Sequence, residues 1–84
     1  MNDKKKVLYR TSDIYFSAYL QSMGIDLIGT ESEESYGKNK VKFVFNVPEG
    51  DIQRLKTSFF AGTGTVKAMH FVNNLKALKS MCFT

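Results

Sequence analysis

Val41-Lys42-Phe43-Val44-Phe45-Asn46-Val47-Pro48 is the stretch on which the fold turns. In an extended chain successive side chains alternate between faces, so Val41, Phe43, Phe45 and Val47 share one side. Lys42 and Asn46 share the other. Pro48 lacks an amide donor and ends the ladder. This is a strand with one apolar face, and other elements of the chain must cover that face.

The covering elements lie on both sides in sequence. Upstream, Val7–Arg10 is a short run of strand formers, predicted as an edge strand. Thr11-Ser12-Asp13 follows as a helix start, with a hydroxyl to cap the free amides and Asp13 in the first turn. The helix runs to about Met23. It places Phe16, Tyr19, Leu20 and Met23 on one face and Asp13, Ser17 and Gln21 on the other. Gly24 then stands where a left-handed cap is needed, and Ile25 is placed to fold back on Leu20. Ile25 to about Glu31 is predicted as a second strand. The polar segment Glu31–Lys40, with Gly37 and Asn39, is predicted as a long hairpin tip. Glu31, Glu33 and Glu34 precede it, and Lys38, Lys40 and Lys42 follow it, so antiparallel pairing brings opposite charges together.

Downstream of Pro48, Asp51–Phe60 is predicted as a helix with Ile52, Leu55 and Phe59 as its inner stripe. Ala61-Gly62-Thr63-Gly64-Thr65 breaks it, and Thr65 is placed to cap a third helix over Val66–Ser80. There Ala68, Phe71, Val72, Leu75, Leu78 and Cys82 recur at helical spacing. The expected fold is α+β, in the order strand-helix-strand-strand-helix-helix. It has a small two- or three-stranded sheet with a long-loop hairpin, covered on one face by three helices. The first strand is expected to pair in parallel across a right-handed crossover or to sit on an edge.

The chain has 84 residues, 43% apolar and 13% aromatic. That suffices for one core and not two. Residues 1–6 are expected to form a flexible basic tail, and 7–84 a single domain. Staples are not expected: one cysteine, Cys82, and one histidine, His70, make neither an internal disulfide nor a structural zinc site. This composition is that of a reducing, cytoplasmic compartment. No apolar run reaches the roughly 20 residues of a membrane span, and no signal core follows the basic start.

The positions Tyr9-Arg10-Thr11-Ser12-Asp13-Ile14-Tyr15-Phe16-Ser17-Ala18-Tyr19-Leu20, Gly24, Lys42-Phe43-Val44-Phe45, Phe59-Phe60, Gly62, Phe71 and Leu75-Lys76-Ala77-Leu78 carry a resemblance. Over residues 9–83 the chain resembles a small family of uncharacterised prokaryotic and phage-borne domains, itself a domain of unknown function. The resemblance implies a bacterial, archaeal or viral source and the element order above. It carries over no activity and no site residue.

Enzyme chemistry finds little footing in the residues, and the chain is expected to be non-catalytic and to need no cofactor. His70 has Lys67, Asn73 and Asn74 as its helical neighbours and no acid to orient it. Cys82 continues an apolar stripe, as a buried structural thiol does. Gly62-Thr63-Gly64-Thr65 lacks the lysine and hydroxyl that end a phosphate-binding loop, and is read as a helix connection. The acids Glu31, Glu33 and Glu34 lack the alternation and closing glutamate of a calcium loop.

Two binding readings remain. The net charge is +4, with basic ends and an acidic middle. Lys67, Asn73, Asn74, Lys76 and Lys79 on the third helix are the candidate nucleic-acid contacts, with Tyr9 and Tyr15 available for stacking. Against this stands an ordinary solvated helix face. The alternative is a protein-binding or inhibitory module, with a homodimer formed through the uncovered sheet face. Leu8, Ile28 and Val44 are its candidate self-association patch. Scattered exposed apolar residues are the plainer explanation of those three.

Overall fold

The computed structural model of the chain describes residues 5–35 and 37–82. The elements run β1 (Lys6–Thr11), α1 (Ile14–Ser22), β2 (Asp26–Ser35), β3 (Lys38–Pro48), α2 (Asp51–Phe60) and α3 (Ala68–Cys82). The order is the expected one, and the class is α+β. Three strands form one antiparallel sheet in the order β1-β3-β2.

The decisive stretch is the middle strand. Phe43, Phe45 and Val47 are buried together with Phe16, Tyr19, Leu20, Leu55 and Leu78. β3 is the longest strand and pairs on both sides, with Val7, Tyr9 and Thr11 opposite Val47, Phe45 and Phe43. The first strand therefore lies on an edge. Its parallel pairing with the second strand does not form, because β3 lies between them and takes both ladders.

The hairpin tip is also shorter than the polar run predicts. The β2–β3 ladder continues to Ser35 opposite Lys38. Gly37, in the connection, has φ 75°, the left-handed backbone that tight hairpins favour and glycine adopts without strain. Polarity misleads here because the run is a charge ladder. Glu31 sits across from Lys42, and Glu33 from Lys40, so exposed strands replace a loop. A bulge between Leu27 and Gly29 leaves Ile28 unpaired. At the other end, Lys6 pairs with Pro48, and the Glu49 amide donates to the Lys5 carbonyl at 2.7 Å. The inner end of the expected tail is thus strand, and residues 1–4 lie outside the described residues.

α1 begins one step later than its hydroxyls suggest. Asp13 itself caps the helix, its Oδ1 accepting from the Tyr15 and Phe16 amides at 3.0 Å. Thr11 Oγ1 accepts from the Asp13 amide. The end is as expected: Gly24, at φ 85°, follows the helix. Its amide donates to the Gln21 carbonyl and the Ile25 amide to the Leu20 carbonyl, both at 3.0 Å.

The middle of α1 is buried on every side, from Phe16 through Leu20. An amphipathic reading misses this, because α3 packs along α1 as well, with Asn74 reaching Ser22. Ser17 tolerates burial because its hydroxyl donates to the Asp13 carbonyl at 2.8 Å. Met23, placed on the inner face from sequence, is exposed instead. The connection between α2 and α3 crosses the same helix. A methyl group built on Gly64 would fall 2.8 Å from the Tyr19 ring carbon Cζ, so a side chain here would require the Tyr19 ring to shift.

Candidate nucleic-acid interface

α3 meets the core through Phe71, Leu75, Leu78 and Cys82, with Leu78 fully buried. The helix starts at Ala68, and the Phe71 amide donates to the Lys67 carbonyl at 3.0 Å. The start thus falls two residues after the expected Val66. Ala68 and Val72, expected in the core stripe, are exposed. The contact face is rotated because Asn74, and not Val72, borders it. Asn74 Nδ2 donates to Ser22 Oγ at 3.1 Å, and Ser22 Oγ donates in turn to the Ala18 carbonyl. This polar chain locks α3 to α1.

The five candidate contacts therefore divide. Lys67, Asn73, Lys76 and Lys79 are exposed. Asn74 is part-buried and committed to Ser22, so it is a packing residue and not a free reader of bases. His70 is exposed, and Cys82 is half-buried against the core. Of the two tyrosines, Tyr15 is exposed and Tyr9 half-buried.

The sheet face away from the helices has a different character. Arg10 on β1 stands opposite Val44, and its Nε reaches Glu31 Oε1 on β2 at 2.9 Å. Because β3 separates those strands, the ion pair passes over β3 beside Val44. Lys42 Nζ lies 2.8 Å from Glu33 Oε2. The Glu33 carboxyl titrates below its ordinary range, first because Lys42 hydrogen-bonds to it and then because of the Lys42 charge. Val44 is only 5% exposed, so it cannot serve as the accessible centre of the expected self-association patch. A glutamate placed there would test folding rather than association. Leu8 and Ile28 are open, at 53% and 58%, on opposite edge strands.

Charge is thus sorted by element. On the sheet face Arg10 and Lys42 are paired with carboxylates across strands. From Ile52 to the end of the chain there is no aspartate or glutamate, while Arg54, Lys56, Lys67, Lys76 and Lys79 all fall there. Arg54 shares Asp51 at 3.7 Å. Lys56 Nζ lies 5.2 Å from the centre of the Tyr9 ring.

Phe60 escaped the sequence reading. It ends α2 at 67% exposure, yet its ring stacks on Phe16 with centroids 5.9 Å apart. The available signal was the Phe59-Phe60 doublet, since adjacent helical positions lie about 100° apart and do not share one narrow inner stripe.

The Thr63 and Gly64 amides both donate to the Ser58 carbonyl at 3.0 Å. They close α2 and are not directed at a phosphate. Among the described residues no group of histidine, cysteine and acidic side chains is placed to hold a metal ion, and no helix is long and apolar enough to cross a membrane.

No curated protein and no solved structure matches the chain. One family model does, over residues 6–84, which includes the whole sheet and all three helices. The chain belongs to the family described as Domain of unknown function (DUF5659).

Proposed function

We propose that this domain is a small non-catalytic accessory protein of a prokaryote or its phage, working in the cytoplasm, that binds nucleic acid through the outer face of α3. The observation that carries this reading is the sorting of charge. Arg10 and Lys42 of the sheet have carboxylate partners, whereas Lys67, Lys76 and Lys79 stand exposed in a stretch of chain without a single acid. Exposed cations of this kind bind phosphates by releasing counterions. Asn73 lies beside them as a hydrogen-bonding group.

Few phosphates are contacted, so the binding is weak and falls steeply with salt. Fluorescence anisotropy of a labelled oligonucleotide, titrated at several salt concentrations, tests this. In the double variant Lys76→Glu, Lys79→Glu the slope of log affinity against log salt should shrink by about 1.5 to 2, as expected for two lost contacts. No binding at the lowest salt, or an unchanged slope, removes the reading.

A second reading, a protein-binding or inhibitory module or a homodimer, is favoured by the exposure of Leu8 and Ile28 on the sheet face away from the helices. Sedimentation of the wild-type chain at high concentration decides it, and a strict monomer discards the homodimer.

A further inference from the structure

We propose that α2 presents a stacking step for unpaired bases, which makes the ligand a single-stranded nucleic acid. The inference rests on the nucleic-acid reading above and deepens it.

Lys56 and Phe60 are four residues apart on α2 and so share a face of the helix. Phe60 lies against Phe16 through near-parallel rings, at 27°, and is 67% exposed. Phe59 meets it edge-on, with centroids 5.0 Å apart. The ring is thus supported from the protein side and accessible from the other. Lys56 holds its ammonium over Tyr9, and Tyr9 in turn meets Phe16 edge-on at 6.1 Å. An exposed phenyl ring, a half-buried tyrosine and a lysine are therefore linked through one buried ring, Phe16.

A single exposed phenylalanine is ordinary. One backed by a rigid aromatic base, with a cation one turn away and no acid in the sequence from Ile52 onward, is the combination that single strands use: a ring for the base and an ammonium for its phosphate. A duplex keeps its bases stacked on each other and has none to offer Phe60. The two features then separate by ligand: the α3 lysines attract any phosphate backbone, and Phe60 selects the unpaired one.

The test compares a labelled oligothymidylate with a labelled duplex of equal length. Phe60→Leu is the variant, because leucine keeps apolar contact with Phe16 and loses the ring face. Wild type should bind the single strand more tightly, and Phe60→Leu should weaken that binding roughly tenfold while leaving the duplex unchanged. Equal affinity of wild type for the two probes, or no loss in Phe60→Leu, overturns the stacking step and leaves the charge reading standing. Loss of both probes in Lys76→Glu, Lys79→Glu, with Phe60→Leu inert, overturns the stacking step in the same way. Failure of wild type to bind either probe at low salt overturns both. A measurement on the wild-type chain guards against a misfolded variant. Photo-crosslinking to an iodouridine strand should mark Phe60 or Tyr9 in the digested protein, and crosslinks confined to other residues count against the proposal.

Discussion

Both faces of β3 hold buried side chains, covered by opposite means. Phe43, Phe45 and Val47 are covered by helices, in a dry cluster of aromatic and aliphatic side chains. Val44, on the reverse face, is covered by the sheet itself, through the arginine that crosses from one edge strand to the other. The first kind of cover stabilises through apolar area removed from water. The second contributes little free energy, since exposed ion pairs are worth roughly 0–1 kcal/mol. What it does is consume charge. Arg10 and Lys42 are neutralised where they stand, and the positive surplus of the chain is left to the helices. The difference therefore bears on function as well as stability.

The comparison breaks most visibly at the core. Phe45→Ala should cost about 3–5 kcal/mol, a large share of the roughly 5–15 kcal/mol that holds a small domain folded. The denaturation midpoint reads it. A loss below about 1 kcal/mol would mean that the helices do not seal this face. On the reverse face, Arg10→Met keeps an aliphatic stem over Val44 and removes the pair with Glu31. Its expected cost is under about 1 kcal/mol by the same measurement, and a cost equal to that of Phe45→Ala would erase the distinction between the faces.

The smallest effect is the pH response of Glu33. Its carboxyl in the folded chain titrates below the ordinary value of 4.5. A lowered folded pKa gives stability that is present above the unfolded value and is lost as pH falls through the folded one. The hairpin tip should therefore loosen only in acid, below the ordinary glutamate range. Side-chain NMR titration should place the Glu33 midpoint below 4.5 in the wild type and raise it in Lys42→Met. An unmoved midpoint would show that Lys42 does not hold that carboxylate in solution.

Much of the fold was legible because local physics and tertiary demand agree. The alternation in β3, the boundaries of α2 and the glycine ending of α1 all follow from short-range rules that the finished structure keeps. The misses have a common cause. The hairpin reads as a loop because its ladder is built from charges rather than β-branched residues. α1 reads as two-faced because Ser17 and Gln21 look like surface residues, whereas α1 packs against α3 and α2 as well as the sheet and Ser17 is buried. Asn74 looks like a free polar group until Ser22, 52 residues away in sequence, claims it. The candidate site was half legible for the same reason. Lys76 and Lys79 are visible from helical spacing, whereas Phe60 becomes a feature only when Phe16 lies beneath it.

By itself the sequence determined the element order, the apolar side of the central strand and the absence of acids after Asp51, since periodicity and composition belong to the chain whatever its shape. The tertiary structure alone decided which strand takes the centre, which cations are spent on carboxylates and which aromatic ring is left open. Those outcomes depend on contacts between residues far apart in the chain, and nothing local encodes which of several eligible partners arrives.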